Sequence, residues 1–589
     1  MADRTSTAGK SAGEDQLLAS ITGDLAWEIV QDFSTINRES GSRGEQEAAD
    51  LIVETLEQKG VPVTVLRPTL LLSVPRRASV TVGGREFHAK TPAFSVSTGE
   101  SGSAGRLVYL PGAFAQGHDD LFDSGFSSQA PDVAGTVVIT EGLPLPQKVL
   151  DVESLGARAA IFVNPGERIH EAICTPVWGG PDWQNKDRQP QIPVLAVNRK
   201  DGETLIGIAK DQPGSPVEVV TVLEKGLFDC PLPVVEIPAE GAEAADFVLL
   251  HGHMDSWHFG VGDNAVGNGA MVELAVRFWE RRSQLRRGIR LAWWPGHSPG
   301  RYAGSTWYAD MFGVELAERC VAQVNCDSPG CRWATAFSGM SWTPEMAAFT
   351  KEVIHDVTGL TASGERPPRA GDWSFNNLGV SGTLMLSSTM PEDVRQVKGY
   401  YGVGGCGGNI EWHTEADTLE IADRQLLQRD MQVYGAVVWR LAADPVLPMD
   451  FRAAAADMQK AVRGYQEAVG ERFDLRPVLT VLDELASSLG QLYGAMEELP
   501  TQKVNGTLKR LSRLLVRLHF AADEQFRQDP ALQVPPMPML AWAETVAALS
   551  PESMDSFYAV NSLMRGRNRA VFELREASRV IDDLLKNDA

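Results

Sequence analysis

Between about residue 235 and residue 450, short apolar strands alternate with helical segments, and this alternation limits the fold more than any other feature. The strand-like segments are VVEIPA, DFVLLHGHMDSW, GIRLAWWPG and CVAQVNCDSPG, and helical segments such as NGAMVELAVRFWERR separate them. Strands that are apolar on both faces need cover on both faces, which crossover helices provide. We therefore predict an α/β fold with a mixed, mostly parallel sheet and helices on both faces.

The segments on either side of this region have other patterns, and a chain of 589 residues is too long for one core. Residues 14–60 show helical spacing of apolar residues, whereas about 69–230 holds short β-branched runs bounded by Gly or Pro. From about residue 451 long helical patterns dominate. We predict that 1–68 and 235–450 are the two parts of the α/β domain, 69–234 a β-rich insertion and 451–589 a helical domain.

The charge and the cysteines narrow the class of protein. The formal net charge is -23, which argues against nucleic acid or an anionic membrane as the main partner, because both require a basic surface. The six cysteines form no CxxC pair, and the polar amino terminus has no signal-peptide pattern. No run of about 18 apolar residues predicts a membrane helix. We expect a cytoplasmic protein.

Histidines and aspartates follow several of the apolar strands. His253 and Asp255 lie at the end of DFVLLHGH, Asp263 follows in a Gly-rich loop, Asp327 follows VAQVNC, and His413 lies in GGNIEWHTEADT. In an open α/β sheet, ligands bind beyond the carboxyl ends of the strands. One interpretation makes His253 a metal ligand that Asp255 orients. Each residue alone also has an ordinary structural explanation, such as an Asp that caps a helix; the set as a whole favours a metal site.

The segments that carry these residues resemble those of a known family, the zinc aminopeptidase clan that includes glutamate carboxypeptidase II, aminopeptidase Y and the transferrin receptor. HMDSW with GVGDNAVG resembles its first metal segment, WHTEADT its last, and ESGSRGEQEAADLI its opening helix. DVAGTVVITEG, SLGARAAIFVNPG and IPVLAVNRKDG resemble the protease-associated domain that these proteins carry as an insertion. The carboxyl-terminal helices resemble the family's dimerisation region.

The resemblance implies roles for individual residues. His253 and Asp327 would hold one metal ion, Asp263 would bridge two ions, and His413 would hold the second. The implied cofactor is a divalent metal, most simply zinc, as one or two ions. The implied substrate is a small peptide or amide, and the implied assembly is a homodimer through the carboxyl-terminal helices.

One segment departs from the family pattern. After the strand IRLAWW the family has a Glu-Glu pair, of which the first is the general base and the second a metal ligand. This chain has GHSPG, which places His297 and Ser298 there. Imidazole binds zinc and is also a competent base near neutral pH. Ser298 cannot replace a charged ligand.

Three hypotheses about this departure stay open. In the first, His297 takes over part of the lost function, either as a ligand of the second metal ion with His413 or as a proton acceptor, and the protein is a metallohydrolase that cleaves an amide bond. The predicted catalytic residues are then His297 and Asp255. In the second, the site is degenerate and the protein only binds a partner. In the third, the metal serves different chemistry on a small carboxylate or amide, which fold analogy does not exclude.

Several further residues have both a functional and a structural explanation. Asp372 lies where the family often has an acidic residue near the substrate, but it could also cap a helix. Glu411 is either a displaced base or a loop carboxylate. Arg301 and Tyr302 either contact a substrate carboxylate or oxyanion, or form a salt bridge and a packed phenol. His251, His258 and Cys406 are more simply structural.

Overall fold

The structure is a computed structural model that describes residues 12–115 and 131–587. The first eleven residues, to which most of the export-signal prediction refers, lie outside the described part. The helices are α1 (Ala12–Ser20), α2 (Asp24–Phe33), α3 (Arg43–Gln58), α4 (Pro146–Ser154), α5 (Arg199–Asp211), α6 (Val266–Glu280), α7 (Ala303–Met311), α8 (Gly313–Arg319), α9 (Ala347–Thr358), α10 (Glu392–Lys398), α11 (Arg424–Ala443), α12 (Phe451–Val469), α13 (Arg476–Ala495), α14 (Thr501–Phe520), α15 (Trp542–Ala548) and α16 (Met554–Asn587).

The strands form two sheets. They are β1 (Thr64–Leu66), β2 (Thr69–Val82), β3 (Arg85–Ala89), β4 (Gly99–Tyr109), β5 (Val137–Glu141), β6 (Ala159–Val163), β7 (Val194–Val197), β8 (Pro216–Asp229), β9 (Leu232–Ile237), β10 (Phe247–His253), β11 (Gly288–Trp294), β12 (Cys320–Asn325), β13 (Phe337–Trp342), β14 (Ala362–Glu365) and β15 (Gly382–Met385).

The larger sheet has the strand order β1-β9-β11-β10-β12-β15-β13-β14. Its central strands β11, β10, β12 and β15 run parallel, while β1, β9 and β13 pair antiparallel to neighbours. Every residue of β10, β11 and β12 is buried, which explains why the sequence shows continuous apolar runs there. The predicted mixed, mostly parallel sheet of an α/β fold is confirmed.

The smaller sheet has the order β3-β2-β8-β4-β5-β6-β7. Strands β2 and β8 pair antiparallel from Thr69 opposite Asp229 to Val82 opposite Val217. Next to them, β1 pairs antiparallel with β9 in the larger sheet, with Leu66 opposite Leu232. The chain therefore leaves the larger sheet and returns to it at adjacent points, as an insertion must. The boundary predicted at residue 234 falls inside β9, and the four domain ranges stay a prediction.

The last five helices, α12 to α16, pack on one another without strands, and α16 lies against α13, α14 and α15. Their buried side chains recur at helical spacing, as in Val478, Leu482, Leu485, Leu489 and Leu492 of α13. The predicted carboxyl-terminal helical region is confirmed. Within the two described stretches, no helix combines the length and the apolar character needed to cross a membrane.

Candidate metal centre

The candidate residues gather at the carboxyl edge of the larger sheet. His253 is the last residue of β10, Asp327 follows β12 by two residues, and His297 follows β11 by three. Because these three strands are parallel neighbours, their ends meet at one edge. The structure brings these side chains together although up to 74 residues separate them along the chain.

Asp263 lies between two histidines. Its Oδ1 is 2.8 Å from Nε2 of His253, and its Oδ2 is 3.1 Å from Nε2 of His413. Nε2 of His253 is also 3.7 Å from Oδ2 of Asp327. Ligand atoms of His253, Asp263 and Asp327 all lie within 4.8 Å of one another. This donor set of imidazoles and carboxylates is one that zinc accepts.

The electrostatics of this cluster favour a positive charge at its centre. Burial by itself raises the pKa of Asp263, but hydrogen bonds from His253 and His413 outweigh it and hold the pKa well below its usual value. Burial lowers the pKa of His253, yet Asp255 and Asp263 raise it well above the usual value. Asp327 has a raised pKa because it is buried and is repelled by Asp263. A cation would relieve this repulsion.

Asp255 holds the neighbouring backbone. Its Oδ1 accepts a hydrogen bond from the backbone N–H of His297 at 3.1 Å, and its Oδ2 accepts one from Ser298 at 2.9 Å. Nδ1 of His253 lies 2.9 Å from the backbone oxygen of Asp255 and 3.7 Å from its Oδ1. Asp255 thus fixes both the ring of His253 and the loop after β11.

His297 belongs to the same cluster. Its ring stacks on that of His253 with the centroids 3.8 Å apart and an angle of 16° between the planes. Nδ1 of His297 lies 2.9 Å from Oδ2 of Asp372, and the other oxygen of Asp372 accepts a hydrogen bond from Ser305 at 2.7 Å. Asp372 is 1% exposed, so this contact is shielded from water. Among the described residues, Nε2 of His297 has no hydrogen-bond partner.

Three positioning contacts were missed from the sequence. Asp417 accepts hydrogen bonds from the backbone N–H groups of Gly262 at 2.6 Å and Asp263 at 3.0 Å. Burial and repulsion from Asp263 raise the pKa of Asp417 to about 7, against the lowering effect of those hydrogen bonds. The backbone oxygen of Glu171, in the insertion, lies 2.9 Å from Nδ1 of His413.

The third contact comes from Arg38, which is fully buried and donates to backbone oxygens of Met254, Phe259 and Gly260 at 3.0, 2.7 and 2.9 Å. It therefore supports the loop between His253 and Asp263. Asp417 stands inside the motif WHTEADT, and Arg38 immediately precedes ESGSRGEQ, so the motifs pointed to both residues. Nothing in the sequence around Glu171 indicates its contact with His413.

Other candidates lie outside the cluster. Glu411 pairs with Arg332 at 2.9 Å, so it is engaged elsewhere and is not a displaced base beside the histidines. His258 lies 3.2 Å from Glu171, in a separate group that includes Lys90.

The two remaining candidates are structural. His251 accepts a hydrogen bond from the indole of Trp294 at 3.0 Å. Burial raises the pKa of Cys406 well above its usual value, which disfavours a nucleophilic thiolate.

A cavity of about 660 Å³ opens beside the cluster. Asp263, His297, Asp327 and His413 line it, so three of the four candidate ligands and the stacked His297 reach the same space. Its walls include apolar side chains from both the insertion and the α/β domain, among them Leu143, Ile173, Leu384 and Trp412. A cavity of this size holds a small peptide-like molecule.

The split α/β fold, the β-rich insertion and the His–Asp cluster at the sheet edge define the class of metallopeptidase-like α/β proteins. Residues 234–438 match the model of peptidase family M28, and residues 103–205 match that of the PA domain. The chain is thus similar to peptidase family M28 over its second α/β segment and to the PA domain over its insertion. The resemblance inferred from HMDSW, GVGDNAVG and WHTEADT is confirmed.

Individual relatives are distant. The chain is 22% identical over 381 residues to the probable glutamate carboxypeptidase VP8 of Zea mays, covering 59% of this chain and 52% of that protein. It is 25% identical over 425 residues to the probable lipoprotein aminopeptidase LpqL of Mycobacterium tuberculosis, covering 68% and 80%. The aminopeptidase from Aneurinibacillus sp. strain AM-1 superposes with a TM-score of 0.54 at 17% identity, over 73% of this chain and 96% of that one. The chain thus spans about half the length of the maize protein, at 52%.

Proposed function

We propose that this protein is a metal-dependent hydrolase that cleaves an amide bond in a peptide or peptide-like small molecule. The observation that carries the proposal is the position of Asp263, whose two carboxylate oxygens lie 2.8 and 3.1 Å from Nε2 of His253 and of His413. A carboxylate shared in this way, on the wall of a cavity, is what a site for one or two divalent cations requires.

The proposed ligands are His253, Asp263, Asp327 and His413, and zinc is the ion that suits this mixture of imidazole and carboxylate. Bound zinc supplies a Lewis acid for the substrate carbonyl and lowers the pKa of water to about 7. The chain itself supplies the orientation: Asp255 and Glu171 contact Nδ1 of the two histidines, so each Nε2 is left for the metal.

His297 is the proposed proton acceptor, in place of the missing Glu-Glu pair. The contact of its Nδ1 with Asp372 at 2.9 Å favours the tautomer with the proton on Nδ1, which leaves the lone pair on Nε2. His297 lines the cavity, so a proton from the attacking water can reach it. Asp372 acts through His297 and is a positioning residue, as is Asp255, which holds the backbone of His297.

The segment GHSPG favours a second candidate function. It supplies no carboxylate to the cluster, so the second cation would have fewer charged ligands than in the family pattern. A protein that binds peptides at a metal site without cleaving them fits this observation, and so does metal-dependent chemistry on a small carboxylate or amide. The nature of the product separates the three functions.

The test uses the full-length protein loaded with zinc and a panel of dipeptides and N-acyl amino acids, with products identified by mass spectrometry. We expect release of an amine and a carboxylate, loss of activity with EDTA, and loss in the His253→Ala variant. His355→Ala is the matched control, because this histidine is an exposed residue of helix α9 and is not part of the cluster. Binding without turnover, or another product, would reject the hydrolase.

We further propose a homodimer through the carboxyl-terminal helices. Helix α16 exposes Phe557, Tyr558, Met564 and Phe572, with 60%, 56%, 42% and 64% of their surfaces accessible. Exposed apolar side chains on one long helix are typical of an association surface. Analytical ultracentrifugation should give a dimer for the wild type and a monomer for Phe572→Glu; a monomeric wild type at micromolar concentration would reject the dimer.

A cytoplasmic location stays a prediction. It is supported by the six cysteines, all of which are buried and free of disulfides. Cell fractionation in the source organism, with the protein followed by an antibody, would test it.

A further inference from the structure

The insertion reaches the candidate metal centre through the backbone of one residue, Glu171. Its N–H donates a hydrogen bond to the backbone oxygen of His413 at 2.8 Å, and its own backbone oxygen lies 2.9 Å from Nδ1 of the same histidine. The two residues are 242 positions apart in the sequence. Two hydrogen bonds therefore join the insertion to one candidate metal ligand of the α/β domain.

Both contacts act on parts of His413 that need support. Its backbone φ is 57°, in the left-handed region that is unfavourable for a residue with a Cβ atom, and the N–H of Glu171 holds the carbonyl of this strained residue. Because a carbonyl oxygen only accepts hydrogen bonds, Nδ1 of His413 carries the ring proton. Nε2 therefore keeps its lone pair on the side of Asp263, which lies 3.1 Å away.

The ammonium group of Lys90, another residue of the insertion, fastens Glu171 in this place. Its Nζ lies 2.9 Å from Oε1 of Glu171 and 2.5 Å from Oε1 of Glu415, which follows His413 by two residues. The backbone of Lys90 exchanges two hydrogen bonds with that of Ala196, at 3.0 and 2.8 Å, so the lysine is fixed to the insertion. The side chains of Lys90 and Glu171 are only 13% and 10% exposed, so water weakens their attraction less than that of a surface pair.

We propose that Lys90 and Glu171 are positioning residues of the metal centre, so that docking of the insertion on the α/β domain is coupled to cation binding by His413. A hydrogen-bond partner of a metal-binding histidine changes metal affinity about 10–100-fold. By linkage, bound zinc must stabilise the docked insertion by the same factor by which the docked insertion raises zinc affinity. The proposal rests on the proposed function for the ligand set and for the identity of the ion.

Hydrogen exchange in the full-length wild type tests the coupling without any substitution. The protein is followed by mass spectrometry after EDTA treatment and again after loading with zinc, and the zinc content of each sample is measured. We expect exchange of residues 169–174, which include the N–H of Glu171, to slow about tenfold or more with zinc. Helix α5 is the control within the insertion, because it packs on β4, β5 and β6, and its exchange should not change. Bound zinc with no protection of residues 169–174 would overturn the coupling.

Variants assign the coupling to Lys90. Lys90→Met removes the ammonium, and its zinc affinity in competition with a chelator should fall about tenfold or more, whereas Lys90→Arg should stay within about threefold of the wild type. The visible spectrum of bound cobalt(II), which reports on the metal's ligands, should change in Lys90→Met and be restored in Lys90→Arg. Lys186→Met is the matched control, because the ammonium of this insertion residue pairs with the adjacent Asp187 at 2.9 Å, and it should bind zinc as the wild type does.

The outcomes separate this inference from the proposed function. An unchanged zinc affinity in Lys90→Met, or a loss that Lys90→Arg does not restore, would overturn the role of Lys90. If Lys90→Met fails to fold, the exchange experiment on the wild type still decides. Zinc-dependent protection without hydrolysis of any amide would reject the proposed function and keep the inference, and hydrolysis with bound zinc but no protection would do the reverse. A protein that takes up no zinc would overturn both.

Discussion

Replacing Asp372 by Asn tests whether the contact with His297 matters for activity. Asp372 is 1% exposed, and its Oδ2 lies 2.9 Å from Nδ1 of His297. The substitution keeps the shape and removes the charge. The amide can also turn its NH₂ group toward Nδ1, which would move the ring proton to Nε2 and remove the lone pair from the cavity side.

The size of the effect follows from the kind of hydrogen bond. A bond to a charged group contributes about 1.5–3 kcal/mol, which corresponds to a factor of about 10–150 in rate if it is lost in the transition state. We expect kcat/KM of Asp372→Asn to fall by that factor on a dipeptide that the wild type hydrolyses, with the zinc content unchanged. A larger fall would indicate the wrong tautomer as well.

A matched control separates the charge from general damage to the network. Ser305→Ala removes the other hydrogen bond to Asp372, at 2.7 Å, but leaves the carboxylate in place. We expect it to lose less than about tenfold, as for one hydrogen bond. An Asp372→Asn variant that folds, binds zinc and works within about twofold of the wild type would refute the role given to His297 and Asp372.

Two further predictions concern metal affinity and pH. Asp417→Ala leaves the backbone N–H groups of Gly262 and Asp263 without their acceptor. Because these hydrogen bonds hold the loop of Asp263, the zinc affinity measured by competition with a chelator should fall about 10–100-fold. An unchanged zinc affinity would contradict this role of Asp417. Burial raises the pKa of Glu345, which is 1% exposed, above its usual value of about 4.3. The stability that the protonated Glu345 contributes is therefore complete below the pKa of the unfolded state, and it is lost as the pH rises through the raised pKa of the folded state. Glu345→Gln should thus gain in unfolding free energy relative to the wild type between acid and neutral pH in urea titrations, and a difference independent of pH would contradict the burial argument.

The fold could be predicted largely because its signals are local. A strand that is buried on both faces must be apolar throughout, so β10, β11 and β12 were visible as runs. Helix α3 begins where the sequence has a capping residue, since Ser42 accepts a hydrogen bond from the backbone of Glu45 at 3.2 Å. The boundary near residue 234 was less accessible, because β9 follows β8 after only two residues.

The site was partly predictable for a similar reason. Residues at the ends of adjacent parallel strands must meet, so His253 and Asp327 could be placed together before their distance was known. The contact between His297 and Asp372 joins residues 75 positions apart, and nothing in either segment specifies it. Glu411 could not be excluded from sequence either, because its partner Arg332 lies 79 residues away.

The central claim is that His253, Asp263, Asp327 and His413 together hold a divalent cation. Its most direct test is the zinc content of the dialysed full-length protein by mass spectrometry, compared with the Asp263→Ala variant. We expect about one or two zinc ions per chain in the wild type, in keeping with such donor sets, and none in the variant, because Asp263 contacts both histidines. A wild type that stays free of metal after exposure to zinc, or a folded variant that keeps its full complement, would contradict the account.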